Sequence, residues 1–170
     1  PSGLDIIDIG ASTGGFTDCL LQRGAKYAAC VDVGVNQLHE KIKSDPRVKN
    51  LEKTDARNLS SEILDGKTFD ILCADLSFIS LEKVIPSVWQ FLKDGGIAIF
   101  LVKPQFETLP EFLRRTKGII KDAEIQQNAL QKIKKFLKEN YPNSQYIGDI
   151  PSPIKGGDGN VEFVLGVKKF

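Results

Sequence analysis

Leu4-Asp5-Ile6-Ile7-Asp8-Ile9 runs without a break into Gly10-Ala11-Ser12-Thr13-Gly14-Gly15-Phe16, and the join between these two stretches sets the architecture of the chain. The first stretch is apolar enough for a strand buried on both faces. The second is a glycine-rich turn, and helical spacing follows it over about 14–23. Working outward, further apolar runs stand at 25–31, 69–74, 97–102 and 161–167, with a short one at about 48–51. Helices are expected between them at about 36–44, 80–92 and 122–139. Such β-α-β-α alternation predicts an α/β, doubly wound sheet with helices on both faces. The end of the chain departs from it. Asn143–Ile150 reads as a strand, the turn-rich stretch 151–160 leaves no room for a helical crossover, and the last strand must therefore return antiparallel. The expectation is a mostly parallel, seven-stranded, Rossmann-like sheet closed by one antiparallel strand. Residues that follow the parallel strands then share a sheet edge with residues that begin the antiparallel one.

A length of 170 residues suits one domain, and 41% hydrophobic with 26% charged residues excludes a disordered tail or a fibre. No linker or repeat divides the chain, so residues 1–170 read as a single domain. The longest apolar run, Ile97–Val102, is far short of the roughly 20 residues a membrane helix needs. Cys19, Cys30 and Cys73 are odd in number and lack C-x-x-C spacing, which suits buried thiols in a reducing, cytoplasmic setting. One histidine, His39, excludes a His-rich metal centre, and no metal is expected. There is no apolar leader at the start and no methionine anywhere, so a piece of a longer protein is expected. Net charge of +1 excludes nothing by itself.

A dinucleotide turn would place glycine at 10, 12 and 15, but position 12 is serine. Asp8, just before the turn, also sits badly beside a pyrophosphate and well beside a cationic ligand. S-adenosylmethionine, with an ammonium, a sulfonium and no phosphate, meets both conditions. Asp32, followed by Val33, ends the second strand about 22 residues after the first glycine, where a carboxylate can accept both ribose hydroxyls. Asp55, followed by Ala56, is placed to accept from an adenine amino group. Any one of these carboxylates could equally cap a helix. Together, at successive strand ends, they outline a nucleoside crevice. Asp75 ends the fourth strand, Lys103 ends the fifth with Pro104 keeping it extended, and Glu162 begins the antiparallel strand. An amine between two carboxylates can activate a ribose 2′-hydroxyl, by taking its proton or by stabilising the developing alkoxide.

The motifs D-I-G-A-S-T-G-G-F, V-D-V-G, A-D-L-S-F-I-S-L, L-V-K-P-Q-F-E and S-P-I-K-G-G-D-G-N-V-E-F, in this order, resemble the TlyA (hemolysin A) family of FtsJ-like RNA methyltransferases. The resemblance covers nearly the whole chain. It implies a class I S-adenosylmethionine-dependent methyltransferase fold and 2′-O-methylation of cytidine in ribosomal RNA or ribosomal subunits. It also implies a cofactor site on Asp8, the 10–16 turn, Asp32, Val33, Asp55, Ala56 and Asp75. Asp75, Lys103 and Glu162 match the last three members of the family's Lys-Asp-Lys-Glu tetrad. The first lysine has no counterpart among residues 1–7, and the family's amino-terminal RNA-binding domain is absent from this chain, so the catalytic domain alone is expected. Two other readings compete. The hemolysin label suggests membrane activity, supported only by the apolar face Ile125, Ala129, Ile133, Phe136 and Leu137 beside lysines; more often such a face covers a sheet, and no stable membrane association is expected. The other is a methyltransferase for small molecules. Against it stand the basic clusters Lys41/Lys43/Arg47/Lys49 and Arg114/Arg115/Lys117/Lys121, which could hold RNA phosphates.

Overall fold

The computed structural model describes residues 1–108, 118–156 and 159–170. Its strands are β1 (Asp5–Ile9), β2 (Tyr27–Val31), β3 (Val48–Leu51), β4 (Phe69–Ala74), β5 (Leu92–Val102), β6 (Ser144–Pro151) and β7 (Phe163–Lys169). They form one seven-stranded sheet in the order β3-β2-β1-β4-β5-β7-β6. Neighbours from β3 to β5 are parallel, and β7 runs antiparallel to both β5 and β6. The expected fold is therefore present, including the reversed last strand.

Central strands are apolar on both sides because both sides are covered. Ile7, Ile9, Leu72 and Phe100 enter one core, with Ile85, Leu130 and Ile133 from the covering helices. Ile6, Ala28, Cys30 and Cys73 enter the other, with Leu21, Leu38 and Ile42. The helices are α1 (Gly15–Gln22), α2 (Glu40–Lys43), α3 (Ile85–Val88), α4 (Pro104–Glu107) and α5 (Ala123–Asn140). α5 is capped by Asp122, whose carboxylate accepts the Glu124 and Ile125 N–H groups. Its face of Ala129, Leu130, Ile133 and Leu137 is buried against the sheet. That face is fully used inside the fold, and among the described residues no helix is long and apolar enough to cross a membrane.

Two helices differ from expectation. The stretch 80–92 is three short turns, at Leu81–Lys83, Ile85–Val88 and Trp89–Phe91, instead of one helix. Pro86 has no N–H to donate and can only begin a turn, so the run breaks before it. The stretch 36–44 shrinks to Glu40–Lys43, because Asn36 takes a positive φ of 53° and His39 leaves the helix to cap it, accepting the Lys41 N–H. Cys30 and Cys73 are buried as free thiols, whereas Cys19 is exposed on α1. Residues 109–117, within the least periodic segment of the sequence, 106–121, lie outside the described residues, and with them Arg114, Arg115 and Lys117 of the second basic cluster.

Ile133 has no exposed surface where α5 crosses the sheet. Ile133→Ala should lower stability by about 2–5 kcal/mol through lost burial and the cavity left behind. Urea denaturation measures it, and a loss well below this would mean that α5 is not clamped to the core.

Candidate active site

The sheet order turns between β1 and β4, and the backbone there is unusually close. Asp75 N–H donates to the Ile9 carbonyl at 3.0 Å, while Gly10 and Ala11 donate to the Val31 carbonyl at 2.8 and 3.1 Å. A Cβ on Gly10, at φ 77°, would lie 2.2 Å from the Asp75 carbonyl oxygen. Only glycine fits. The turn thus passes over the carboxyl ends of β1, β2 and β4, where an open α/β sheet leaves its crevice. Gly14, at φ 93°, starts α1 with its Cα side pressed on Leu38. Ser12 adopts a φ of 48° without being glycine, and its N–H donates to Asp32 Oδ2 at 2.8 Å. The serine that breaks the dinucleotide pattern is therefore a donor to the second strand's carboxylate.

A cleft of about 520 Å³ opens at this edge, lined among others by Gly10, Ser12, Asp32, Asp55, Asp75 and Phe78. Its size is that of a small-molecule site. Asp32 is fixed by two backbone donors, Ser12 and Gly34 (2.7 Å), one on each oxygen, and each oxygen keeps a lone pair for a ligand. Val33 is 70% exposed beside it. Asp55 caps the turn Ala56–Asn58 and holds the Arg57 guanidinium at 2.5 Å, which keeps its carboxyl below the usual range. Its acceptor positions are taken by Arg57, so a ligand amino group meets it only if Arg57 gives way. Ala11, Thr13, Gly14, Gly15 and Phe16 lie outside the lining of the cleft.

Asp8 does not face the cleft. It is 1% exposed beneath the turn, with Oδ2 accepting the Thr17 N–H at 3.1 Å and the Thr17 hydroxyl at 2.7 Å. Oδ1 is buried without a partner, and burial pushes the carboxyl up to about 6 against the pull of Thr17. Sequence reasoning missed Thr17, although a hydroxyl in the first turn of the helix after the strand is its signal.

On the other side of the switch point, Lys103 Nζ lies 2.5 Å from Asp75 Oδ1 and donates to Ser77 Oγ at 3.3 Å, its side chain only 12% exposed. Glu162 is buried, and burial raises its pKa while Lys103 lowers it, Asp75 raises it and a hydrogen bond from Gln105 lowers it. A Cβ on Gly156 would lie 2.5 Å from Glu162 Oε1, so the 152–156 segment closes directly over this carboxyl. The structure thus brings Asp75, Lys103 and Glu162 to one edge from three strands. Phe78, which sequence reasoning passed over, stands at the rim 91% exposed with φ 65°, its ring 5.2 Å from that of Phe106. A phenylalanine just past a strand-end aspartate was the available signal. Of the first basic cluster, Lys43, Arg47 and Lys49 are paired with Glu52, Asp45 and Asp65. Among the described residues no group of three or more His, Cys, Asp or Glu is arranged to hold a metal.

Residues 2–169 match the family described as FtsJ-like methyltransferase. The chain is 42% identical over 94% of its length to the candidate rRNA methyltransferase YqxC of Bacillus subtilis, covering 56% of that protein. It is 38% identical over 96% of its length to the 16S/23S rRNA (cytidine-2′-O)-methyltransferase TlyA of Mycobacterium tuberculosis, covering 60% of it. A solved structure from Streptococcus thermophilus that carries a hemolysin name superposes with a TM-score of 0.92 at 39% identity, over 99% of this chain and 60% of the other. The chain therefore spans less than two thirds of the length of each.

The buried Asp8 has a measurable signature. Its folded-state pKa is raised from the ordinary 3.8 to about 6, so its contribution to stability is complete below about pH 4 and is lost as the pH rises through 6. Asp8→Asn keeps the shape and removes the ionisation. The variant should be more stable than wild type at about pH 7.5, by on the order of 3 kcal/mol, with the difference vanishing below about pH 4. Denaturation curves across this range test it; a difference independent of pH would mean that Asp8 is solvated.

Proposed function

The chain belongs to the FtsJ-like methyltransferase family, and we propose that it transfers a methyl group from S-adenosylmethionine to the 2′-oxygen of cytidine in ribosomal RNA. The observation that carries this reading is the Lys103–Asp75 pair beside Glu162, at the mouth of a nucleoside-sized cleft. The residues fit the cofactor: the cleft offers carboxylates for hydroxyl and cationic groups, and the Ser12 N–H, which a dinucleotide turn would turn to a pyrophosphate, is held by Asp32. When bound, S-adenosylmethionine supplies an electrophilic methyl on a sulfonium.

In this reading Asp32 accepts the ribose hydroxyls, with Val33, Asp55 and Ala56 flanking the base, and Gly10 to Ser12 cover the far end above Asp8. Gly10 serves by absence, because any side chain there would close the cleft against Asp75. Lys103 is aimed by Asp75 and Ser77, so its Nζ meets the substrate hydroxyl in a fixed direction. The bound cofactor would supply the methyl group to the 2′-oxygen, and the hydroxyl proton would pass into the Asp75–Lys103–Glu162 cluster. Glu162, with its proton affinity raised by burial, suits that uptake. Phe78 offers an aromatic face at the rim for the base of the entering nucleotide. Residues 1–170 act in this reading as the catalytic domain, and ribosomal RNA or a ribosomal subunit is the partner. The relatives' names support this substrate class over a small molecule.

Incubation of the chain with labelled S-adenosylmethionine and ribosomal subunits, followed by mapping of 2′-O-methyl positions, tests the reading. Lys103→Ala should lower methyl transfer by at least about 10², the value of a positioned proton-handling group. Asp32→Ala should instead weaken cofactor binding by about 1–3 kcal/mol, read by calorimetry. Retention of more than a tenth of the activity in Lys103→Ala would overturn the chemistry, and unchanged affinity in Asp32→Ala the ribose assignment.

A further inference from the structure

α4 points its residues in alternating directions from the catalytic lysine. Lys103 precedes it, Gln105 turns to Glu162, and Glu107 turns the opposite way, toward the segment that follows β4. Glu107 is 5% exposed, yet fully engaged. Its Oε1 accepts the Leu81 N–H at 2.8 Å; its Oε2 accepts the Ser80 hydroxyl at 2.5 Å and lies 3.5 Å from Lys132 Nζ. Lys132, on α5, also donates to the Glu107 main-chain oxygen at 3.1 Å and pairs with Glu82 at 3.0 Å. Burying a carboxylate is costly unless it is paired and hydrogen-bonded, and here the donors come from two distant parts of the chain, Ser80 and Leu81 after β4 and Lys132 on α5.

What Glu107 anchors is the segment 76–80, which has no regular structure of its own. This segment supplies Ser77 to Lys103 and holds Phe78 in a left-handed conformation, which a phenylalanine keeps only where its surroundings over-determine it. We propose that Glu107 is a positioning residue that clamps the 76–80 rim to the lysine-bearing turn and, through Lys132, to α5. It touches neither substrate nor cofactor. Its effect on methyl transfer rests on the function proposed above; the clamp itself does not.

The test uses this chain with Ser80→Ala, Ser80→Thr and Glu107→Gln. Hydrogen exchange should quicken at 77–81 in Ser80→Ala and Glu107→Gln, stay unchanged at 10–34, and return toward wild type in Ser80→Thr, which keeps the hydroxyl. At saturating cofactor, kcat for RNA methylation should fall at least about tenfold in the first two variants, the scale of a small misplacement of reacting groups. Cofactor Kd should stay within about fivefold: residues 76–79 line the cleft too, but Asp32 and the glycine turn, which hold the cofactor in the function proposed above, have no contact with Glu107, so the larger loss falls on kcat. Should Glu107→Gln fail to fold, Ser80→Ala still removes the Ser80 arm of the clamp while leaving the carboxylate its Leu81 and Lys132 donors. Unchanged exchange at 77–81 in Ser80→Ala overturns the clamp, as does a cofactor-affinity loss as large as the loss in kcat. Quickened exchange in a wild-type background that methylates no RNA keeps the clamp and overturns the function proposed above.

Discussion

The antiparallel pairing of β5 with β7, in the register that sets Val102 opposite Phe163, is the constraint on which the candidate chemistry depends. In an antiparallel pair the residue after one partner and the residue before the other leave the sheet at the same edge. Lys103 and Glu162 are those two residues. Had β7 run parallel to β5, Glu162 would emerge at the far edge, about 3.3 Å per residue away along the strand. The reversal follows from the short 152–162 connection, which cannot accommodate a crossover helix. The same connection then folds back over Glu162 and brings Gly156 against it.

A second theme is the burial of carboxyl groups. Asp8, Glu107 and Glu162 are each raised in pKa, and burial is the leading cause in all three. They are not equivalent. Glu107 is surrounded by donors and acts as a structural link; Glu162 is balanced by Lys103 and Gln105; Asp8 keeps one oxygen unpartnered beneath the glycine turn. An unpartnered buried oxygen lowers stability, and its position under the candidate cleft is where a fold tolerates that cost for function.

The edge of the sheet is assembled from pieces that rely on one another. Gly10 lets β1 and β4 close together, which sets Asp75; Asp75 holds Lys103; Lys103 donates to Ser77; and the segment carrying Ser77 is tied back by Glu107 to the turn that Lys103 begins. A closed loop of contacts of this kind fixes directions as well as distances. Fixed direction is what the proposed reaction needs, since a poor acid must be held in place to react.

Sequence alone determined the periodic features: strands with both faces apolar, the glycine turn, the reversed last strand, and the sharing of one edge by Asp75, Lys103 and Glu162. Each follows from local rules, because side-chain period, glycine's conformational freedom and connection length act over a few residues. It also placed Asp32, whose position at the end of β2 is set by strand length. Tertiary structure decided what neighbouring segments do to one another. It sank Asp8 under Thr17, tied Asp55 to Arg57, paired three of four lysines and arginines of the first basic cluster with carboxylates, and cut the expected helix at 80–92 into turns. Glu107 is the clearest case, since Ser80, Leu81 and Lys132 lie more than twenty residues from it in the chain. Burial and hydrogen bonding depend on which distant segments meet, and no local pattern in K-P-Q-F-E records that meeting.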